Sequence, residues 1–143
     1  MNVIAWSQNM TPQTAGAVGA IFVSKNELFD QADILTIHVV LSNRTRGLVG
    51  AAELARMKPT ARLVNTSRGP IVDEQALISV LESKQIAGAA IDVFDVEPLP
   101  PDHPFRTLDT VLATPHIGYV SEGLYKTFYE DTVSNIQTWL DTR

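Results

Sequence analysis

The segment DILTIHVVL at 33–41 is nearly unbroken in apolar and β-branched residues, and no other stretch constrains the fold as much. Such a run reads as a strand buried on both faces, the condition of a central strand in a parallel sheet covered by helices. The remainder of the chain supplies the alternation that such a sheet requires. Strands are predicted over 2–6, 20–23, 61–66, 86–94 and 110–114, and helices over 27–32, 51–57 and 73–84. Ser24 or Asn26 stands where an N-cap belongs before the first of these helices, and Pro59 stops the second. From Ser121, another N-cap, to the end of the chain, Leu124, Phe128, Val133, Ile136 and Leu140 recur at helical spacing. The stretch 7–19 is rich in turn formers and reads as a connector. Six strands alternating with helices specify the α/β class, a doubly wound parallel sheet with right-handed crossovers.

A chain of 143 residues makes one domain with a real core and is too short for two ordinary ones. Its 45% hydrophobic and 19% charged residues fit a globular α/β protein, and no apolar run approaches the length of a membrane span. There is no cysteine, which excludes disulfides and thiolate metal sites, and no metal centre is expected. The first residues lack the basic segment and apolar core of a secretory leader, from which a cytoplasmic location is expected. A net charge of −5 without a basic stripe argues against nucleic acid as a partner, and nothing points to a membrane. A strand that begins almost at residue 1 is an unusual opening for a domain, and suggests that a segment is missing upstream.

In an open α/β sheet, ligands collect at the carboxyl ends of the strands. LVNTSRGPIVD at 63–73 joins a strand to a helix at such an end, so Arg68 sits where its planar, always-charged fork can clamp a carboxylate with two hydrogen bonds. Alternatively it caps the strand or pairs with a neighbouring Asp. His116 follows the last strand, and histidine is the usual proton donor or acceptor near neutral pH. Taken alone it reads as a structural residue at a helix entrance. Glu97 follows the strand between and could reach the imidazole, orienting it and favouring its charged form, although alone it reads as a solvated loop carboxylate. Arg68, Glu97 and His116 thus follow three successive strands of one sheet, the placement catalytic residues take.

The blocks NTSRGPIVDEQAL (65–77), DVFDVEP (92–98) and TPHIG (114–118) resemble the three C-terminal signatures of the D-isomer-specific 2-hydroxyacid dehydrogenase family, in the right order and spacing. The resemblance implies a Rossmann-type fold and hydride transfer between NAD(P)H and C2 of a 2-keto acid, with phosphoglycerate, hydroxypyruvate or glyoxylate as the type of substrate. Carried over onto this chain, it makes Arg68 the binder of the substrate carboxylate, His116 the proton donor and Glu97 the group that sets the charge of His116. It places Asp92 toward the nicotinamide carboxamide. Thr66 and Ser67 would line the same ring, with Arg68 beside them, as would His116, Ile117, Gly118 and Tyr119. Val39 and Val40 would lie near the cofactor, Val40 standing where the family often has Pro. Asp92 as a strand-end cap, and Val39 and Val40 as plain core, remain open alternatives.

Two departures from the family pattern carry weight. The family's dinucleotide fold begins with a strand, a G-x-G-x-x-G loop and a helix, and none of the eight glycines here forms that loop. The chain is therefore expected to be a partial cofactor domain, truncated at its N-terminus, with the substrate domain absent. The second departure is Ser7, where an NAD-preferring member usually has Asp on the adenosine ribose. No Lys or Arg stands at 7–11 to hold a 2′-phosphate, which favours NAD over NADP. The missing strand would lie between those at 2–6 and 33–41, leaving unpaired edges. The chain alone is expected to be inactive, to bind NAD poorly, and to associate into a dimer or larger homo-oligomer, by strand exchange among other routes. The rival expectation is a nucleotide-sensing binding module like the corepressors that resemble the same family.

Overall fold

A computed structural model describes all 143 residues. β1 (Ile4–Ala5) pairs with β2 (Ile21–Phe22) in a separate two-stranded sheet, while β3 (Ile34–Ile37), β4 (Arg62–Asn65), β5 (Gly88–Ile91) and β6 (Val111–Ala113) lie side by side in chain order. Every pairing is parallel. Parallel neighbours need crossovers. These run through α1 (Pro12–Gly16), α2 (Lys25–Gln31), α3 (Ala51–Leu54) and α4 (Glu74–Glu82), then through a 3-10 turn at Pro104–Arg106, and α5 (Glu122–Asp141) closes the chain. The strands and helices are the expected ones and lie within the expected bounds, save that α2 begins two residues earlier, at Lys25. The exception is α1, inside the stretch read as a connector: Thr11 caps it with a reciprocal bond to Thr14, and Pro12 occupies its first turn. Five residues carry too little apolar periodicity to reveal a helix, although the Thr-Pro start was a usable signal.

Register explains where the core lies. Leu35, Leu63, Ala89 and Val111 stand in one row, and Ile37, Asn65, Ile91 and Ala113 in the row two residues on. Both rows point to one face, because side chains alternate along a strand. There they meet Leu54 of α3 and Leu77, Val80 and Leu81 of α4 in a single cluster of 21 buried residues. The alternate row carries Ile34, 61% exposed, and Leu112, 67% exposed. The strand at 33–41 is thus neither central in its sheet nor buried on both faces. It lies at one end of the four-stranded sheet, and helices cover one face only, since α5 contributes no buried residue. β1 and β3 each have a strand on one side and an open edge on the other.

Ser24, Asp73 and Ser121 cap α2, α4 and α5 through their side chains, which settles the first cap in favour of Ser24 over Asn26. No helix is long and apolar enough to cross a membrane.

Between β5 and β6 the strands approach closely: a Cβ on Gly88 would stand 2.6 Å from the Thr110 carbonyl oxygen. The Thr110 hydroxyl is buried without a hydrogen-bond partner. Thr110→Val, which keeps the shape and removes the unpaired group, is expected to leave stability to urea unchanged or raised. Gly88→Ala is expected to lower it by about 1–3 kcal/mol through overpacking.

Candidate active site

The turn that carries Arg68 is built by Asn65. This residue ends β4 with 1% of its surface exposed, and its carboxamide accepts from Ser67 N–H at 3.1 Å and donates to the Arg68 carbonyl at 3.0 Å. The Ser67 hydroxyl donates to the Val39 carbonyl at 2.6 Å, which fastens the turn to the chain beyond β3. Next comes the 3-10 turn Gly69–Ile71. Any side chain at Gly69 would run into the backbone of Phe94 and Asp95, so the Arg68 turn is pressed against the segment leading to Glu97. The Arg68 guanidinium is exposed and donates to the Ser67 carbonyl at 2.6 Å. No carboxylate of the chain forms a salt bridge with it, which leaves most of its five donors free.

His116 is held from below by Asp92. The Asp92 carboxylate, on a residue only 5% exposed, accepts from the Thr114 hydroxyl at 2.6 Å, Ile117 N–H at 2.9 Å and Gly118 N–H at 2.8 Å. Burial pushes its pKa up, but the bonds from Thr114, Ile117 and Gly118, with the charge of His116, outweigh that and hold it below the ordinary value. Gly118 is required here, since a Cβ would stand 2.9 Å from the carboxylate oxygen. The loop drawn over Asp92 puts His116 in the left-handed region at φ 56°, a conformation costing a non-glycine residue about 1–3 kcal/mol and concentrated at functional sites.

Glu97 completes the group. One carboxylate oxygen accepts from Phe94 N–H at 2.9 Å, and the other lies 2.7 Å from Nδ1 of His116. Burial raises the Glu97 pKa, yet the bonds from His116 and Phe94 N–H, with the charges of His116 and Arg68, bring it below the ordinary value. An ionised Glu97 only accepts, so Nδ1 carries a hydrogen and the exchangeable proton sits at Nε2, which has no hydrogen-bond partner in the chain. The pair can therefore take up and release a proton at one outward atom, close enough to Arg68 for its charge to be felt at Glu97.

Arg68, Glu97 and His116 follow β4, β5 and β6 as expected, and Glu97 and His116 are in contact. Asp92 spends most of its acceptor capacity on the His116 loop. Val39 packs against the core while Val40 is 83% exposed. Thr66, Ile117, Gly118 and Tyr119 are exposed around the turns, the Tyr119 ring standing edge-on to His116 with centroids 6.3 Å apart. Ser7 follows β1, in the other sheet, and its side chain makes no hydrogen bond. Sequence reasoning missed Asn65 and Thr114 as supports. An Asn at the end of an apolar run two residues before a Ser is a recognisable turn signal, whereas Thr114 is found only from the register that sets it beside Asp92.

Parallel strands, crossover helices and polar groups gathered at the carboxyl ends define the dinucleotide-binding class of α/β folds. Residues 1–118 match the family described as "D-isomer specific 2-hydroxyacid dehydrogenase, NAD binding domain", and the chain belongs to this family. It is 41% identical over 122 residues to D-3-phosphoglycerate dehydrogenase of Synechocystis sp., covering 85% of this chain and 22% of that protein. It is 48% identical over 96 residues to glyoxylate reductase of Thermofilum pendens, covering 67% of this chain and 28% of that protein. The crystal structure of phosphoglycerate oxidoreductase from Vibrio cholerae matches with a TM-score of 0.90 at 34% identity, over 100% of this chain and 46% of that one. The chain spans less than half the length of each.

The residues present fit one end of such a cofactor. Ile117 and Tyr119 expose apolar surface beside His116, at 46% and 52%, suited to a flat nicotinamide ring. No Gly-rich turn in the chain supplies a pyrophosphate cradle.

Because the folded-state pKa of Asp92 is depressed, the stability it contributes is fully present above its unfolded value of about 3.9 and is lost as pH falls through the folded value. Asp92→Asn is expected to cost about 1.5–3 kcal/mol at pH 7 and to flatten the acid limb of stability, measured by urea unfolding from pH 7 to pH 2.

Proposed function

We propose that this chain is the carboxyl-terminal part of the cofactor domain of an NAD-dependent D-2-hydroxyacid dehydrogenase, and that Arg68, Glu97 and His116 are its catalytic residues. The observation that carries the reading is the 2.7 Å contact between Glu97 and His116, with Nε2 of the imidazole unpartnered and the Arg68 fork free of any carboxylate. Arg68 binds the carboxylate of a 2-keto acid and draws charge from its carbonyl. His116, charged through Nδ1–H on Glu97, gives the proton from Nε2 to the carbonyl oxygen. A bound nicotinamide would supply the hydride for C2. Thr66, Ser67, Ile117, Gly118 and Tyr119 would hold its ring, with Val39 and Val40 nearby, and the capacity left on Asp92 would serve the carboxamide. Ser7, with no basic residue at 7–11, favours NAD over NADP. Phosphoglycerate-, hydroxypyruvate- and glyoxylate-type acids are the substrates proposed.

The test joins the chain to a Gly-rich phosphate loop and a substrate domain, and follows NADH oxidation with a panel of 2-keto acids. Arg68→Ala is expected to raise KM and lower kcat, and His116→Ala to lower mainly kcat. In Glu97→Gln the imidazolium loses the carboxylate that favours it, so the alkaline fall of the reduction rate shifts toward acid. An unshifted profile removes Glu97 from the mechanism, and no turnover with any acid sinks the reading as an enzyme in favour of a nucleotide-binding module.

The isolated chain is proposed to be inactive and to associate. Its edges at β1 and β3 are open, the face around Ile34 and Leu112 is bare, and the final helix exposes Tyr125, Phe128, Tyr129 and Trp139, each by at least 45%. Sedimentation is expected to give a dimer or larger species, and calorimetry only weak NAD binding. A compact monomer binding NAD at micromolar concentration would contradict both statements.

A further inference from the structure

We propose that Glu74 is a positioning residue, whose carboxylate clasps the connection from β5 to β6 at two points and so holds Glu97 at His116. Glu74 opens α4 directly after its cap Asp73, and its side chain is 17% exposed. One oxygen accepts from Asp95 N–H at 3.4 Å, and the other lies 3.1 Å from Nε2 of His103. Nδ1 of His103 accepts from Phe105 N–H at 3.2 Å, so the hydrogen of the neutral ring is on Nε2 and points to Glu74. A single side chain on the helix that follows the Arg68 turn therefore grips both ends of the stretch that contains Glu97.

The Phe94 side chain is also buried in the core, and the remaining restraints act farther along the connection. Leu99 and Phe105 are buried, and the Arg106 guanidinium donates to the carbonyls of Leu99 and Pro100 at 2.7 and 2.8 Å, which fixes 99–106. Ahead of Leu99, the backbone of Phe94 and Asp95 lies on Gly69 and is held in that position by Glu74. The Phe94 N–H that bonds Glu97 belongs to the same short stretch.

The arrangement carries a cost that supports the assignment. Asp73, Glu74 and Asp95 crowd together, and burial, then the charge of Glu74, then that of Asp73, raise the Asp95 pKa against the opposing pull of Arg46. A neutral side chain would avoid that repulsion. A carboxylate, however, accepts at both oxygens, whereas the amide of Gln has one acceptor and cannot serve Asp95 N–H and His103 through two separate oxygens. The significance of the clasp for turnover rests on the catalytic reading of Glu97 above; its geometry is tested without turnover.

The experiment is a carboxyl-detected NMR titration of Glu97 in the 143-residue chain. In the unsubstituted chain the Glu97 midpoint is expected below the ordinary value. In Glu74→Ala, and equally in His103→Ala, it is expected to rise toward the ordinary carboxylate value while the amide shifts of β3 to β6 stay in place. The double variant adds nothing further, and Glu82→Ala at the far end of α4 changes nothing. An unmoved Glu97 midpoint in Glu74→Ala overturns the proposal while leaving the Glu97–His116 pair intact. Collapse of the sheet's amide dispersion in both single variants overturns it too, by making the clasp a determinant of the fold. An ordinary Glu97 midpoint in the unsubstituted chain overturns both the clasp and the pair it serves.

Discussion

One buried carboxylate organises the candidate-site edge of this protein. Asp92 stands one residue beyond β5, and the three donors it accepts come from the segment that leaves β6. A carboxylate taken out of water is costly unless its lone pairs are filled, and here three charge-assisted hydrogen bonds fill them. The same bonds leave the 114–118 segment little freedom and force His116 through a left-handed backbone conformation. The backbone conformation of His116 thus lies within the loop that Asp92 holds. The ring spends Nδ1 on Glu97 and keeps Nε2 outward.

The rest of the edge follows the same logic of fixing backbone first and leaving side chains free to act. Asn65 spends its whole carboxamide on the turn at Ser67 and Arg68, and Gly69 removes the side chain that would separate that turn from Phe94. Arg68 consequently has a defined base and an unpaired head. Surface ion pairs play little part: Lys25–Glu53, Arg56–Asp30 and Lys58–Asp33 tie the α2 region to α3 and its following turn, and partly exposed pairs of this kind contribute at most about 1 kcal/mol each.

The sheet itself is one-sided. Its covered face supplies the buried cluster, and its other face and the whole of α5 remain in solvent. Family relatives are more than twice as long as this chain. Every hydrogen bond that shapes the candidate-site edge lies within residues 39–118.

Much of this was legible in the residue order. Apolar runs spaced by helical periods gave the parallel α/β class, Ser24, Asp73 and Ser121 marked helix starts, and Arg68, Glu97 and His116 could be placed at three strand ends. These are local properties, decided by neighbours within a few residues along the chain. What tertiary structure alone decided is which groups meet. Glu97 and His116 are nineteen residues apart, Asp92 and Gly118 twenty-six, and Glu74 and His103 twenty-nine, so their contacts exist only through the register of β5 with its neighbours. The 33–41 run illustrates the same limit. Its composition announced a strand, but burial of Leu35 and Ile37 with exposure of Ile34 depends on which face the helices cover, and local sequence carries no information about a distant helix.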